Sequence, residues 1–386
     1  MADFHIHSHY SIPSSKNMGV ENMYDFALRR GVNMLGSGDI LFPKWRRELE
    51  SVLERSAFGL YSFREMTFVL SAEVNLVFEK LGKNRRVHIL LVFPDFDTVD
   101  DFSKIFKNDF SKSARPTLHI DGNDFVRLVK MISNDIHIIP AHIWTPWYGL
   151  LGSISGFDSV EECFDDESIN ITALETGLSA DPLMCYSVKD LRRFPLVSFS
   201  DAHSPARIGR EAVVLKDIDS YKDIFEAIRG DKRKFVMTLE EFPESGKYFA
   251  DGCRKCKFST LDFRQSNALC PMCGNPLREG VLHRIESLKD YVGSGKAPAF
   301  SYIMPLDEII AQSLGKSVVD GKVKEIYNLA LESFSNEINV LVFEELSSLM
   351  NVLPEKVVRA IGDVREGRVR KIPGYDGVYG KIILEG

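Results

Sequence analysis

The stretch Ala2-Asp3-Phe4-His5-Ile6-His7-Ser8-His9-Tyr10-Ser11 (ADFHIHSHYS) sets three histidines at alternate positions behind an aspartate. In a β-strand, residues two apart project on the same face. Asp3, His5 and His7 are therefore expected to line one side, with Phe4 and Ile6 packed on the other. A His-x-His pair ligates one ion from a single strand. His9 falls where SHYSIPSS already reads as loop, so it is either a further ligand or a surface histidine.

Outward from this stretch, residues 2 to about 235 alternate short apolar runs with amphipathic segments, the pattern of repeated β/α units. The runs are ADFHIH, VNMLGSGD, MTFVLSAEV, VHILLVF, IHIIPAH, INITALE and FPLVSFSDAH. Six of the seven carry His, Asp or Glu at or near the C-terminal end: His5 and His7, Asp39, Glu73, His142, Glu175, and Asp201 with His203. His88 opens the remaining run, and a hairpin turn near LGKN would return it to the same sheet edge as Glu73. In a β/α barrel the C-terminal strand ends converge on one mouth, where chemistry is placed. One buried strand-end histidine reads as a hydrogen-bonded core residue; seven such contributions read as a polynuclear metal site. Imidazole with carboxylate suits zinc, iron or manganese.

The chain has 386 residues, 44% of them hydrophobic, enough for two or three domains with a large core. Its formal net charge of −7 excludes a wholly basic coat but not a local basic groove. No signal peptide and no apolar run near the membrane-spanning length is present, so a soluble, cytoplasmic monomer with no membrane partner is expected. Four of the six cysteines fall in CRKC (Cys253, Cys256) and CPMC (Cys270, Cys273). Two such knuckles read as a closed tetrahedral site for one structural zinc, since a redox CxxC would need one pair in a βαβ context. Cys163 and Cys185 read as ordinary buried residues.

The expected organisation is a β/α barrel with a metal site over 1–240, a four-cysteine zinc module over 247–282, and a mainly helical C-terminal domain over 296–386. Arg254 and Lys255 on the first knuckle either face solvent or contact phosphates. REGRVRKIPGYDGVYG, with Arg368, Arg370 and Tyr375, suits a loop gripping a phosphate backbone and equally an ordinary turn.

The motifs DFHIH, SGD, SAE, VHILL, PAH and SDAH, in this order, resemble those of the polymerase and histidinol phosphatase (PHP) superfamily. The resemblance implies a distorted seven-stranded β/α barrel with two or three divalent ions that hydrolyses phosphoesters. It carries His5 and His7 over as ligands of one ion, His88 and His142 of a second, and Glu73 and Asp201 as shared carboxylates. His203 and Asp39 remain beside them, whereas Ile40 stands where three-metal members have a histidine. The longer strings PAHIWTPWYGLLGSISGFDSVEECF, ALETGLSADP, SFSDAHSPARIGREA and PGYDGVYGKI, with the cysteine module, resemble the endonuclease Q family over nearly the whole chain.

That resemblance implies incision of double- or single-stranded DNA 5′ to hypoxanthine, uracil, xanthine or an abasic site. Members often carry a sliding-clamp-binding tail; only six residues follow Gly380, so clamp contact is not expected. Zinc is the expected ion, with magnesium or manganese as substitutes. Asp201, Asp39 and His203 are the expected catalytic groups, Asp39 or His203 handling the proton. Trp144, Trp147 and Tyr148 either stack on an extruded base or pack beneath the site, and Glu175 is expected behind the ligands or in the pocket. A small-molecule phosphatase of the histidinol phosphate type would use the same centre, but would have no need of the zinc module and basic tail.

Overall fold

The computed structural model describes residues 1–106, 110, 112–262, 269–290 and 297–385. Positions 263–268 of the expected cysteine module, and 296 and 386 at the limits of the expected C-terminal domain, lie outside them. The fold is mixed α/β around one large sheet, with a helical C-terminal region. Ala2–Asp3 lies between Met34–Gly36, which runs parallel to it, and Ala212–Leu215, which runs antiparallel. Met34–Gly36 continues into the long strand Met66–Lys80, rich in Val, Leu and Phe, which favour a half-buried pleated surface.

Met66–Lys80 and Lys83–Phe93 form the expected hairpin. Leu81 and Gly82 both have positive φ (54° and 68°), the two-residue turn whose twist matches the flanking strands. The register sets Asn75 opposite His88 and Glu73 opposite Leu90, so Glu73 and His88 share one face as diagonal neighbours. His137–Pro140 adds on beyond Lys83–Phe93.

Leu174–Glu175 and Leu196–Val197 form a separate parallel pair. Single contacts rather than ladders join it to its surroundings: Thr172 N donates to Ile138 O (2.9 Å), and His7 N to Ala202 O (2.9 Å) beside the Ile6–Ala202 bridge. Strand ends thus converge on one region, but the expected seven-stranded barrel is not a continuous ladder. The reason is local. Asp39, His142 and Asp201 have positive φ (48°, 31° and 46°), which removes their segments from extended geometry just where polar residues are presented.

Phe4 packs on Phe199, ring centroids 5.2 Å apart, within a cluster that takes Val69, Leu90, Val92, Ile139 and Val197 from successive strands. Helices cover the sheet with faces spaced three or four residues apart: Met23 and Ala27 in Val20–Arg30, Trp45 and Leu49 in Pro43–Val52, Phe125 and Val129 in Gly122–Ile132. Among the described residues no helix is long and apolar enough to cross a membrane.

The C-terminal helices Leu306–Leu314, Gly321–Phe334 and Glu355–Arg365 pack on Leu239 of the strand Phe235–Glu241 and on Phe242 just after it. Phe300–Ile303 joins that strand in parallel, and Val369–Ile372 pairs with Lys381–Leu384, so this region is helical but contributes strands as well. Buried Glu337 ties it to the helix Val20–Arg30 through Arg30, while accepting bonds from Tyr327 Oη (2.9 Å) and Leu306 N (2.7 Å).

A second buried polar feature lies under the sheet. Glu240 accepts hydrogen bonds from Ser198 and Thr238 hydroxyls, both 2.5 Å, and burial pushes its carboxyl up to about 7. A group raised in this way favours the fold while protonated, and that stability is lost as pH climbs past the unfolded value of about 4.5 through 7. Glu240→Gln should therefore raise the melting temperature at pH 8, by the equivalent of about 3 kcal/mol at most, with the gap closing toward pH 5. Thermal melts of both proteins across that range check it; a gap that widens on acidification refutes the assignment.

Candidate metal centre

Seven side chains come together in three overlapping groups of potential ligands: His5, His7 and Glu73; His7, Asp201 and His203; and Glu73, His88 and His142. Glu73 and His88 come from the middle of the hairpin strands rather than from strand ends, the other five from segments just beyond them. Within each, the ligand atoms all lie within 4.8 Å of one another. His7 and Glu73 each belong to two groups, which is the arrangement bridging or closely spaced ions need. These seven are the residues expected from the sequence as ligands.

The ring orientations are set from behind. His5 Nδ1 lies 3.0 Å from both Glu175 carboxylate oxygens, and His7 Nδ1 lies 3.0 Å from Asp39 Oδ1. Asp39 Oδ2 accepts from Ser8 N and Ser8 Oγ, both 2.7 Å, and Glu175 Oε2 from His142 N at 2.6 Å. Asp39, expected among the catalytic groups, is thus fully buried and committed to His7 and Ser8. Asp3 likewise faces inward to Ser200 N (3.0 Å) and Gly209 N (2.9 Å), not toward the ligands.

The donor set fits metal. His5 Nε2 is buried without a hydrogen-bond partner, 3.5 Å from Asp201 Oδ1 and 3.8 Å from Glu73 Oε1. An imidazole nitrogen left bare beside two carboxylates is costly unless an ion takes the lone pair. Burial lowers His88 to about 4 and also lowers His203, so both present neutral rings at pH 7. Burial alone would raise Glu73, yet His88 and His142 beside it hold it well below the usual carboxylate range.

A cleft of about 620 Å³ opens over this floor. Its lining includes His88, His142, Asp201, His203, Trp147 and Tyr148. Tyr148 stacks on His88 with centroids 4.4 Å apart, and Trp147 packs edge-on against Tyr248 with Arg278 4.6 Å from its ring. Trp144 touches the cleft, but it is 2% exposed and its indole N–H donates to Cys185 Sγ, so its body belongs to the core.

Gly177 forms part of the same wall at φ +72°, where a Cβ would lie 2.7 Å from that of His142. Gly177→Ala is expected to displace His142 and lower turnover about 10- to 100-fold without unfolding the protein, measurable as activity against melting temperature.

Cys253 and Cys256, on the hairpin of Asp251–Cys253 with Phe258–Thr260, converge with Cys270 and Cys273 of a later segment as a fourth ligand group. His9 joins no ligand group among the described residues; its Nδ1 meets Met18 O at 3.1 Å. Arg254, Lys255, Arg368 and Arg370 are exposed but do not line the cleft, and Arg368 pairs with Asp363 (2.7 Å). Tyr375 turns toward the zinc module, where a Cβ on Gly252 would strike its ring at 2.4 Å.

Tyr379, four residues on, reaches the cleft instead, together with Lys247, Tyr248, Arg207, Arg210 and Arg115. Arg207, Arg210 and Tyr379 fall inside family-like strings but carry no signal of their own for a cleft role, and Lys247, Tyr248 and Arg115 fall in none. Only the G-Y-D-G-V-Y-G turn hints at such a role, because it exposes a second tyrosine after a tight reversal.

Known proteins share this fold. A family model described as the MJ0043 C-terminal domain matches residues 305–368. The lesion-specific endonuclease PfuEndoQ from Pyrococcus furiosus superposes with a TM-score of 0.88 at 33% identity, covering 99% of this chain and 94% of that one. The chain belongs to the endonuclease Q family. That membership makes it a hydrolase, a metal-dependent endonuclease.

An endonuclease Q structure in complex with a 27-mer duplex bearing an abasic lesion at the active site also superposes at 0.88, with 34% identity over 99% of this chain and 96% of that one. Among other relatives, uncharacterized protein MJ0043 of Methanocaldococcus jannaschii is 33% identical over 265 residues. That match takes in 65% of this chain and 32% of the relative, so the chain spans about a third of its length. Uncharacterized protein YqxK of Bacillus subtilis is 27% identical across 99% of this chain and 98% of its own.

Proposed function

We propose that the protein is a DNA repair endonuclease that hydrolyses the phosphodiester 5′ to a damaged nucleotide, at deaminated bases and abasic sites. The observation that carries this reading is the set of three ligand groups sharing His7 and Glu73 on the floor of a cleft large enough for a nucleotide. The endonuclease Q complex with an abasic duplex supports DNA as the substrate.

His5, His7, Glu73, His88, His142, Asp201 and His203 would hold two or three divalent ions, zinc by preference, and the four cysteines one structural zinc. Bound there, the ions supply an acidified water near neutral pH and a counter-charge for the leaving oxygen. Glu175 and Asp39 act through His5 and His7, fixing tautomer and ring angle, as carboxylates behind metal-bound histidines do. His203 is open to the cleft, and where the other six residues hold the ions without it, its ring is the group placed to move a proton.

Recognition needs the damaged base outside the stack, and a mispaired or missing base costs least to extrude. Trp147 and Tyr148 offer π-faces at the rim, and the polar wall from Thr176 to Ser179 lies beside them. Donors aimed at a carbonyl would meet a normal base's amino group with another donor, a strong basis for rejection. Lys247, Tyr248 and Tyr379 bring the zinc-module side of the molecule to the same cleft, a feature that a small-molecule phosphatase would not require.

End-labelled duplexes carrying one deoxyinosine, uracil or abasic site test the reading. A single nick on the 5′ side of the lesion, lost on chelation and restored by divalent metal, is expected. Intact duplexes alongside dephosphorylation of histidinol phosphate would replace it with the phosphatase reading.

A further inference from the structure

Arg115 is a cation in the cleft wall that the metal ligands do not need. Its place is fixed by backbone. Pro116 follows it and confines its φ and ψ to extended values. Pro116 O accepts a hydrogen bond from Asn75 N (2.9 Å), and Thr117 is the register partner of Asn75, two residues beyond Glu73. The side chain then returns along the strand, and Nη1 donates to Glu73 Oε2 at 2.9 Å.

Glu73 already has four histidines around it: His5, His7, His88 and His142. A fifth partner adds little to holding it. Nε and Nη2 of Arg115 have no hydrogen-bond partner among the described residues, and the side chain is 28% exposed at the cleft surface. A largely buried guanidinium with an unused fork, directed over a phosphoesterase centre, has the form of an anion receptor.

We propose that Arg115 receives the substrate phosphate: one N–H on Glu73 locks the guanidinium in place, and the remaining donors bind the non-bridging oxygens of the scissile phosphodiester. This rests on the phosphodiesterase reading above and adds to it a residue that touches the reacting group. The phosphodiester carries one negative charge over two oxygens, and that charge grows as the attacking oxygen joins phosphorus. A donor pair fixed beforehand therefore gains strength in the transition state, where it raises kcat. Lysine keeps the charge but has no planar fork with which to hold Glu73 and the phosphate together.

The decisive measurement is calorimetric titration of inorganic phosphate into the zinc-loaded full-length protein. Arg115→Ala should weaken binding about tenfold or more, and Arg115→Lys by a smaller factor, with zinc content and melting temperature unchanged. Turnover of bis(p-nitrophenyl) phosphate and of an abasic duplex should fall about 100-fold in Arg115→Ala. Phosphate affinity equal to wild type, or turnover that falls only in proportion to lost zinc, overturns the proposal and leaves Arg115 as a clamp on Glu73. A failure of phosphate to bind the wild-type protein overturns it too. Should Arg115 govern the nitrophenyl diester while no lesion duplex is nicked, the repair reading fails and the phosphate assignment stands.

Discussion

Asp201→Asn should reduce phosphodiester cleavage by about three orders of magnitude or more while leaving the four-cysteine module loaded. Asp201 Oδ1 lies 3.2 Å from His7 Nε2, 3.5 Å from His5 Nε2 and 3.6 Å from His203 Nδ1, so one oxygen faces three of the proposed ligands. Those histidines hold its carboxyl well below the ordinary range against the opposing effect of burial. The amide has nearly the same shape but lacks the charge that a bridging ligand needs, so the change is expected to act on chemistry more than on packing. Lesion-duplex nicking is expected to vanish, zinc per protein to fall by the barrel-site share alone, and melting temperature to stay within a few degrees. Full activity would remove Asp201 from the metal centre.

The second large effect is expected at Cys270, the more deeply buried knuckle thiol at 1% exposure. Burial works against its ionisation, yet the Met272 and Cys273 backbone N–H groups bring it down to about 7, which favours the thiolate a zinc ion requires. Cys270→Ala should abolish the structural site and melt the hairpin of Asp251–Cys253 and Phe258–Thr260, because binding and folding are coupled in such modules. The damage should spread. Tyr375 packs on Gly252, Asp376 Oδ2 accepts from Arg254 N (2.8 Å), and Tyr379 lines the cleft a few residues later. We expect loss of about one zinc per chain, at least tenfold weaker duplex binding, and a smaller effect on bis(p-nitrophenyl) phosphate. Elemental analysis with a gel-shift titration checks this; unaltered duplex affinity in the zinc-depleted variant would disconnect the module from substrate.

What the sequence made legible follows its periodicities. Alternation put His5 and His7 on one side of the chain, although the strand itself covers only Ala2–Asp3 and Asp3 turns away from them. The turn residues of LGKN foretold the hairpin that sets His88 beside Glu73. The candidate ligands thus stand out in the sequence as polar residues closing apolar runs, while their grouping by ion is what the family resemblance implies. Closure into a barrel ladder was not legible there, because Asp39, His142 and Asp201 leave extended backbone at the site itself, and no local pattern announces that departure. Arg115 was invisible for a different reason: it sits in an irregular segment and reaches Glu73 only through the pairing of Thr117 with Asn75, a long-range register. Tyr375 and Tyr379 are equivalent by composition, and only the fold of the turn decides which one faces the zinc module and which the cleft. Phe300–Ile303, read as part of a helical region, became a strand because Phe235–Glu241 offered it an open edge.

The ligand groups draw on residues 5 through 203, with the first and last pressed together by the Ile6–Ala202 bridge. During synthesis, a chain that has left the ribosome only as far as Pro195 holds His5, His7, Glu73, His88 and His142 but neither Asp201 nor His203. Such a fragment can collect metal at most partially and cannot complete the centre. Any product that ends before Asp201 thus lacks two of the seven candidate ligands.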